Sequence, residues 1–123
     1  MARIQALHHA AITVPTSGLE EARRFYSGLL GLEERDRPAM ELGRPGIWYR
    51  IGEAELHIQC RDIVLSGGDD HHPALVVDDV AGLREHLRAN GVEVRDAQPL
   101  SDRERFFCRD PFGNRLEFLS QPR

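Results

Sequence analysis

Two stretches of the sequence share one pattern of polar and apolar positions. Residues 8–14 read HHAAITV and residues 71–77 read HHPALVV, so a histidine pair precedes an apolar run in both places, 63 positions apart. Apolar runs of this length bounded by polar or turn residues are typical of β-strands. The pattern therefore predicts that one supersecondary unit occurs twice in the chain.

A helix signature follows each predicted strand. In the first half an S-x-x-E capping box begins at Ser17, and Gly31 ends the helix. In the second half Asp78 or Asp79 caps the helix, which closes at Gly91. The apolar stripes that predict these helices are Leu19, Ala22, Tyr26 and Leu29 in the first half and Val80, Leu83 and Leu87 in the second.

Two tightly joined strands close each half. Residues 47–59 read IWYRIGEAELHIQ and residues 105–119 read RFFCRDPFGNRLEFL, with Gly52 and Gly113 at the turns. A polar loop rich in Pro and Arg precedes each pair, and we expect the first of them, RDRPAMELGRPG, to be either a lid or a connector. We predict an α+β chain with a single domain over residues 1–123. It contains two βαβββ modules, at about residues 1–60 and 70–121, joined by the linker CRDIVLSGGDD.

The repeat brings metal-ligand side chains to equivalent positions. His57 in the closing strand of the first half aligns with Glu117 in the second, at an offset of 60, and His9 aligns with His72. Imidazole and carboxylate together suit Zn, Ni, Fe(II), Co or Mn, and such sites keep coordination positions open for a substrate. The sequence predicts that these four side chains converge on one divalent metal.

Strand alternation decides which histidine of each pair faces the site. Ile12 and Val14 share a face with His8, and these larger aliphatic residues should lie under the helices. His9 then lies on the opposite, more polar face. The second strand repeats this division, so we expect His8 and His71 to point away from the site.

Composition narrows the classes of function. The chain is 41% hydrophobic and 29% charged, and its net charge is -4. It therefore lacks the excess positive charge that favours binding to nucleic acid or an anionic membrane. No apolar run approaches a membrane span and no signal-peptide pattern is present, so we expect a cytoplasmic protein. Cys60 and Cys108 read as free thiols. All sixteen basic residues are arginine, which excludes Schiff-base chemistry on a lysine.

The chain resembles members of the vicinal oxygen chelate superfamily. The matching stretches are HHAAITV, LEEARRFYSGLLGLE, HHPALVVDDV and RDPFGNRLEFL, and the combination of F-Y-x-x-x-L-G-L with D-P-F-G-N-x-x-E is specific to that group. The superfamily includes glyoxalase I, methylmalonyl-CoA epimerase, extradiol dioxygenases, fosfomycin-resistance thiol transferases and bleomycin-resistance binding proteins. The resemblance implies a curved, cup-like mixed sheet around a divalent metal, with helices outside.

Carried over by position, the resemblance implies that His9, His72 and Glu117 are metal ligands. Glyoxalases and epimerases have a glutamate or glutamine where this chain has His57, so the fourth ligand departs from their pattern. The fosfomycin and dioxygenase types use two histidines and one carboxylate, which makes His57 surplus there. In many short members two chains share each site, so the resemblance also implies a homodimer.

A metal with two open positions binds neighbouring oxygens of a substrate and stabilises the oxyanion that forms. Glu117 is the predicted catalytic base. Glu55 is a second candidate, or else a solvated residue or a hydrogen-bond partner of a ligand histidine. Candidate substrate contacts are Trp48, Tyr49, Arg50, Arg105, Phe106 and Phe107.

The sequence leaves four functions open. The first is a metal-dependent lyase or isomerase of the glyoxalase kind that acts on a small oxygenated substrate. The second is a metal-free drug-binding protein of the bleomycin-resistance kind, although such binders have generally lost the ligands that this chain keeps. The third is an extradiol dioxygenase, and the fourth is a dimer with a structural metal.

Overall fold

The computed structural model of the chain describes residues 1–62 and 71–122. The chain divides into two compact units, Met1–Ile63 and Val64–Arg123, and each is described here by itself. The predicted linker over residues 60–70 lies outside the described residues from position 63 onward.

The first unit is a four-stranded sheet with helical segments between its strands. Its strands are β1 (His9–Val14), β2 (Glu33–Arg35), β3 (Gly46–Ile51) and β4 (Ala54–Cys60). Its helical segments are a 3-10 turn (Thr16–Gly18), α1 (Leu19–Arg23), a π-helix (Arg24–Leu29) and a second 3-10 turn (Ala39–Glu41). The strand order is β1-β4-β3-β2, with β1 parallel to β4 and the other pairs antiparallel.

The second unit repeats this topology. Its elements are β5 (Ala74–Val76), α2 (Val80–Ala89), β6 (Val94–Asp96), β7 (Arg105–Arg109) and β8 (Arg115–Leu119). The strand order is β5-β8-β7-β6, and β5 again lies parallel to β8 while the other pairs are antiparallel. The predicted α+β fold of two repeated βαβββ modules is confirmed.

One face of each sheet is apolar and buried. In the first unit Ile12 and Val14 are only 5% and 1% exposed, as expected for the face under the helices. The buried apolar side chains of the first sheet are Ile12, Val14, Ile47, Tyr49, Leu56 and Ile58, and those of the second are Phe106, Cys108, Leu116 and Phe118. The opposite face of each sheet is left for polar side chains.

The first helical segment begins and winds differently from its prediction. The Ser17 capping box is wrong, because no side chain caps either the 3-10 turn or α1. The backbone N–H of Thr16 instead donates to the Asp62 carboxylate at 2.9 Å. The segment then widens into a π-helix, where the Leu30 N–H donates to the Phe25 carbonyl. The π-helix contains the buried Phe25, which the predicted stripe left out although it lies three residues after Ala22.

The second helix follows its prediction. Asp79 is the N-cap of α2, and its carboxylate accepts a hydrogen bond from the Gly82 N–H at 2.9 Å. The helix ends at Ala89, and Gly91 just beyond the C-cap has a φ of 80°, the left-handed conformation that glycine adopts without strain.

The two hairpins have turns of different length, and different residues stabilise them. The β3–β4 turn contains only Gly52 and Glu53, with Gly52 at a φ of 56°. The longer β7–β8 turn is held by Asp110, which is 5% exposed. Its carboxylate accepts hydrogen bonds from the backbone N–H groups of Phe112 and Asn114 and from the Asn114 side-chain amide. The D-P-F-G-N motif therefore has a structural role in this chain.

Candidate functional site

A row of flat side chains crosses the polar face of the first sheet. The register aligns Ala11, His57, Trp48 and Arg35 on the four strands. The His57 ring stacks on Trp48 with centroids 4.0 Å apart and on His9 with centroids 4.1 Å apart. Since β4 lies between β1 and β3, the two rings approach His57 from opposite sides. The buried imidazole is thus held on both faces.

Glu55 fixes the edge of the same imidazole. Its Oε1 lies 2.8 Å from His57 Nε2, and its Oε2 accepts a hydrogen bond from the Arg35 guanidinium at 2.7 Å. The His57 and Arg35 hydrogen bonds lower the pKa of Glu55 to about 2. Burial lowers the pKa of His57, although the Glu55 hydrogen bond acts in the opposite direction. Glu55 lies against His57, the contact that a hydrogen-bond partner of a ligand histidine would make.

The histidines beside the predicted ligands differ in their contacts. His8 Nδ1 lies 2.9 Å from His9 Nδ1, so the two side chains of the first pair touch each other. His8 was expected to point away from the site, yet it contacts a predicted ligand. His71, its counterpart in the second unit, is exposed.

The polar face of the second sheet holds a histidine–glutamate pair. His72 Nε2 lies 2.9 Å from Glu117 Oε1, and Glu117 is 6% exposed. The edge of the His72 ring meets Phe107, with centroids 5.3 Å apart. Arg105 Nη1 lies 3.6 Å from Glu117 Oε2, which is an ionic contact longer than a hydrogen bond. The two oxygens of Glu117 therefore have different neighbours.

Two guanidinium groups lie over Phe107 in the same unit. The Cζ atom of Arg115 is 4.1 Å from the ring centroid and that of Arg105 is 5.6 Å from it. Both distances are within the range of cation–π attraction. Arg115 and Arg35 were absent from the predicted site. Strand alternation was the available signal for Arg115, which lies two positions before Glu117 on β8. Arg35 reaches the face of His57 only through the pairing of β2 with β3 and of β3 with β4, which alternation alone does not show.

The His72–Glu117 pair brings an imidazole nitrogen and a carboxylate oxygen to hydrogen-bond distance. Two ligands about 2.1 Å from an ion are about 3 Å apart at right angles and about 3.4 Å apart in a tetrahedral arrangement, so a tetrahedral ion would require this pair to open slightly. His9 and His57 fit less directly. An imidazole binds a metal in its ring plane, and their two planes are 14° from parallel at 4.1 Å. One of these rings must turn before both can bind the same ion.

Each unit contributes two of the four predicted ligands. Within residues 1–62 and 71–122, no three His, Cys, Asp or Glu side chains form a group that could hold a metal ion. The donors therefore occur as pairs, His9 with His57 and His72 with Glu117.

The candidate substrate contacts divide between the two faces of the sheets. Tyr49 and Phe106 are fully buried on the apolar faces, so these two assignments are wrong. The Tyr49 hydroxyl is 2.8 Å from that of Ser27, inside the first unit. The others lie on the polar faces, beside the histidine or glutamate of their own sheet: Trp48, Arg50, Arg105 and Phe107.

Several solved structures share this fold. A protein of Bacillus anthracis described as a glyoxalase family member is 34% identical, with 98% of each chain covered and a TM-score of 0.90. Lactoylglutathione lyase from Agrobacterium tumefaciens is 18% identical over 96% of this chain and 95% of its own, with a TM-score of 0.73. TnmS3, an antibiotic-binding protein from Streptomyces sp. CB03234, is 20% identical over all of both chains, with a TM-score of 0.73.

No curated protein sequence matches the chain. No helix among the described residues has the length and apolar character that crossing a membrane requires.

The family model for the Glyoxalase/Bleomycin resistance protein/Dioxygenase superfamily matches residues 6–118, which is nearly the whole chain. The chain therefore belongs to the Glyoxalase/Bleomycin resistance protein/Dioxygenase superfamily.

Proposed function

We propose that this protein is a divalent-metal-dependent enzyme of the glyoxalase kind, a lyase or an isomerase. Its substrate is a small molecule that chelates the metal through neighbouring oxygens. The observation that carries the proposal is the 2.9 Å contact between His72 Nε2 and Glu117 Oε1 on the polar face of the second sheet. A metal bound by both groups would replace this hydrogen bond, and two ligands at right angles on an ion about 2.1 Å away are about 3 Å apart.

His9, His57, His72 and Glu117 would hold the metal, in a homodimer whose subunits share each site. The donor set of imidazole and carboxylate suits Zn, Ni, Fe(II), Co or Mn. When bound, the metal would polarise the substrate oxygens and stabilise the negative charge that develops on them. Members of the superfamily commonly bind a divalent metal.

Glu117 is the group that would accept a proton from the substrate. Its Oε1 faces His72, while its Oε2 lies toward Arg105. One oxygen can thus serve as a ligand while the other accepts a proton from the substrate carbon. Phe107 packs against His72 and is in register with Glu117, whose side chain is buried. In the first unit, Glu55 and the stacked rings orient His57 without taking part in proton transfer.

One observation favours a second function, a metal-free protein that binds a planar drug. His9, His57 and Trp48 form an aromatic row whose rings cover one another's faces, so a flat ligand would contact the ring edges with its own face. TnmS3, which shares the fold, is an antibiotic-binding protein. The two functions differ in whether the histidines hold a metal.

The chain provides its own matched control for testing the metal. His72 follows another histidine, His71, whose side chain is exposed, so His72→Ala can be compared with His71→Ala. We expect about one divalent ion per chain in the purified wild-type protein by elemental analysis. His72→Ala should lose the ion and His71→Ala should keep it. Equal loss in both, or no binding after reconstitution, would contradict the enzyme and favour the drug-binding protein.

Fluorescence gives a second readout, because Trp48 is the only tryptophan and its ring is stacked on His57. Metal added to stripped protein should change the Trp48 emission, and His57→Ala should abolish that change. If His57→Ala keeps both the ion and the response, the metal has three protein ligands. Turnover of a catechol by an Fe(II)-loaded sample would identify an extradiol dioxygenase instead.

A further inference from the structure

The polar face of the second sheet is unusually rich in arginine. We call it the arginine face: the register places Phe107 beside Glu117 and Arg95, with Arg105 and Arg109 on the same face of β7 and Arg115 on that face of β8. Within strands β5 to β8, Glu117 is the only acidic residue on this face. The other one, Asp96, is in register with Phe106 on the apolar face.

The equivalent face of the first sheet is balanced. Arg35 and Arg50 share it with Glu33 and Glu55, so positive and negative side chains are equal in number. The arginine face has four guanidinium groups and one carboxylate, in a chain whose net charge is -4. Clustered like charges repel one another, and a bound anion relieves that repulsion. The imbalance therefore belongs to one sheet and does not follow from the overall composition.

The guanidinium groups are arranged around Phe107 rather than dispersed. Arg105 lies on one side of the Phe107–Glu117 pair in the register and Arg115 on the other, and both contact the ring. Arg105 Nε donates to the Gln98 carbonyl at 2.9 Å, and an Arg109 N–H donates to the Gly113 carbonyl at 2.9 Å. These backbone contacts orient guanidinium groups that each carry five N–H donors.

We propose that the arginine face binds an oxyanion group of the substrate, a carboxylate or a phosphoryl group. Arg105 and Arg115 supply the N–H donors, and Phe107 supplies an apolar surface for the adjoining carbon atoms. This inference rests on the proposed function, because Glu117 is both the centre of this face and a predicted metal ligand. It narrows the substrate class to oxygenated molecules that also carry an anionic group.

Benzoate, phenylphosphonate and benzamide test the proposal directly. Benzamide matches benzoate in shape and lacks its charge, so the pair isolates the anion, and phenylphosphonate separates phosphoryl from carboxylate recognition. Binding is followed by backbone and arginine Nε NMR shifts in protein of measured metal content, both stripped and reconstituted. We expect benzoate or phenylphosphonate to shift the signals of Arg105, Phe107 and Arg115, and benzamide to leave them in place.

Variants distinguish a built site from general attraction to positive charge. Arg105→Gln and Arg115→Gln should each weaken the preferred anion by about tenfold or more. Arg88→Gln removes the same charge from α2, where Arg88 is near Glu85 and Asp96, and should bind as the wild type does. Equal binding of benzoate and benzamide, or equal weakening by Arg88→Gln, would overturn the proposal.

Measuring the metal content shows whether a negative result concerns the anion site or the proposed metal-dependent enzyme. Arg115→Gln should keep the wild-type metal content while losing the anion. If no form of the protein binds a metal but the anions still bind through Arg105 and Arg115, the anion site holds and the metal-dependent enzyme does not. If the metal binds and neither anion does, the enzyme holds and the anion site is wrong.

Discussion

The two units have the same topology, yet their polar faces carry different chemistry. In the first, His57 is enclosed by two aromatic rings and bonded at its edge to Glu55. In the second, the aligned position holds Glu117, paired with His72 on the arginine face. The apolar faces are similar in both units. Packing on one side of each sheet thus preserves the fold, while the other side is free to diverge.

The largest expected effect is on the hairpin that differs between the units. Asp110→Ala leaves two partly buried backbone N–H groups and an amide without this acceptor, and should lower the free energy of unfolding by about 2–3 kcal/mol. Glu53→Ala, in the short turn of the first unit, should change it by less than about 0.5 kcal/mol. Chemical denaturation measures both. A similar small loss in the two variants would remove the proposed structural role of Asp110.

Gly46 tests whether the two sheets tolerate the same side chains. It occupies the position that Arg105 has in the second unit, but a Cβ atom at Gly46 would lie 2.7 Å from the Ile58 carbonyl oxygen. Gly46→Ala should therefore destabilise the protein by about 1–3 kcal/mol, because backbone must move. Gly28→Ala meets nothing within 4 Å and serves as the control in the same unit. An unchanged melting temperature for Gly46→Ala would contradict the close approach.

The two cysteines predict a difference at alkaline pH. Burial raises the pKa of Cys108 from the ordinary 9.0 to about 12, and raises that of the less buried Cys60 as well. The folded state keeps the Cys108 thiol neutral while the unfolded state ionises above pH 9. Stability is therefore unaffected below pH 9 and falls between pH 9 and 12, by at most about 1.4 kcal/mol per pH unit.

Cys108→Ala should flatten that part of the stability profile, and Cys60→Ala should flatten it less. Thermal unfolding from pH 8 to 11 provides the measurement. If the two variants follow the wild-type profile, other groups account for the alkaline loss.

The smallest effect concerns the helix starts. Asp79→Ala removes the side-chain cap of α2 and should cost about 1 kcal/mol. Ser17→Ala should cost almost nothing, because Ser17 makes no cap in the first unit. Asp62→Ala should cost more than Ser17→Ala, since Asp62 accepts from the Thr16 N–H. Urea titration resolves these differences, and a costly Ser17→Ala would restore the capping box.

Local patterns sufficed for the repeat, the strand faces and the second helix. They failed where the partner is distant along the chain. Asp62 reaches Thr16 from 46 positions away, and no local signature marks that cap. The predicted apolar stripe also left out the buried Phe25, although a residue three positions after Ala22 lies on the same helix face.

The candidate site shows the same limit. Alternation correctly separates Glu55 and His57 from the apolar face, but it cannot show that the two side chains bond to each other. It also cannot show that the His9 and His57 rings are stacked, which requires the register of β1 on β4. The residues that could form the site can thus be predicted from the sequence. Their contacts cannot, because these depend on pairing between distant segments.

The parallel pairing of β1 with β4, and of β5 with β8, has a consequence for folding kinetics. The β3–β4 and β7–β8 hairpins join strands that are adjacent in the chain, whereas β1 must wait for a partner that begins 40 positions after its own last residue. Closing that long loop costs entropy before any contact repays it. We expect the hairpins to form first and β1 and β5 to dock last. His9 and His72 belong to those late segments, so the donors of each pair meet only when its unit is nearly complete.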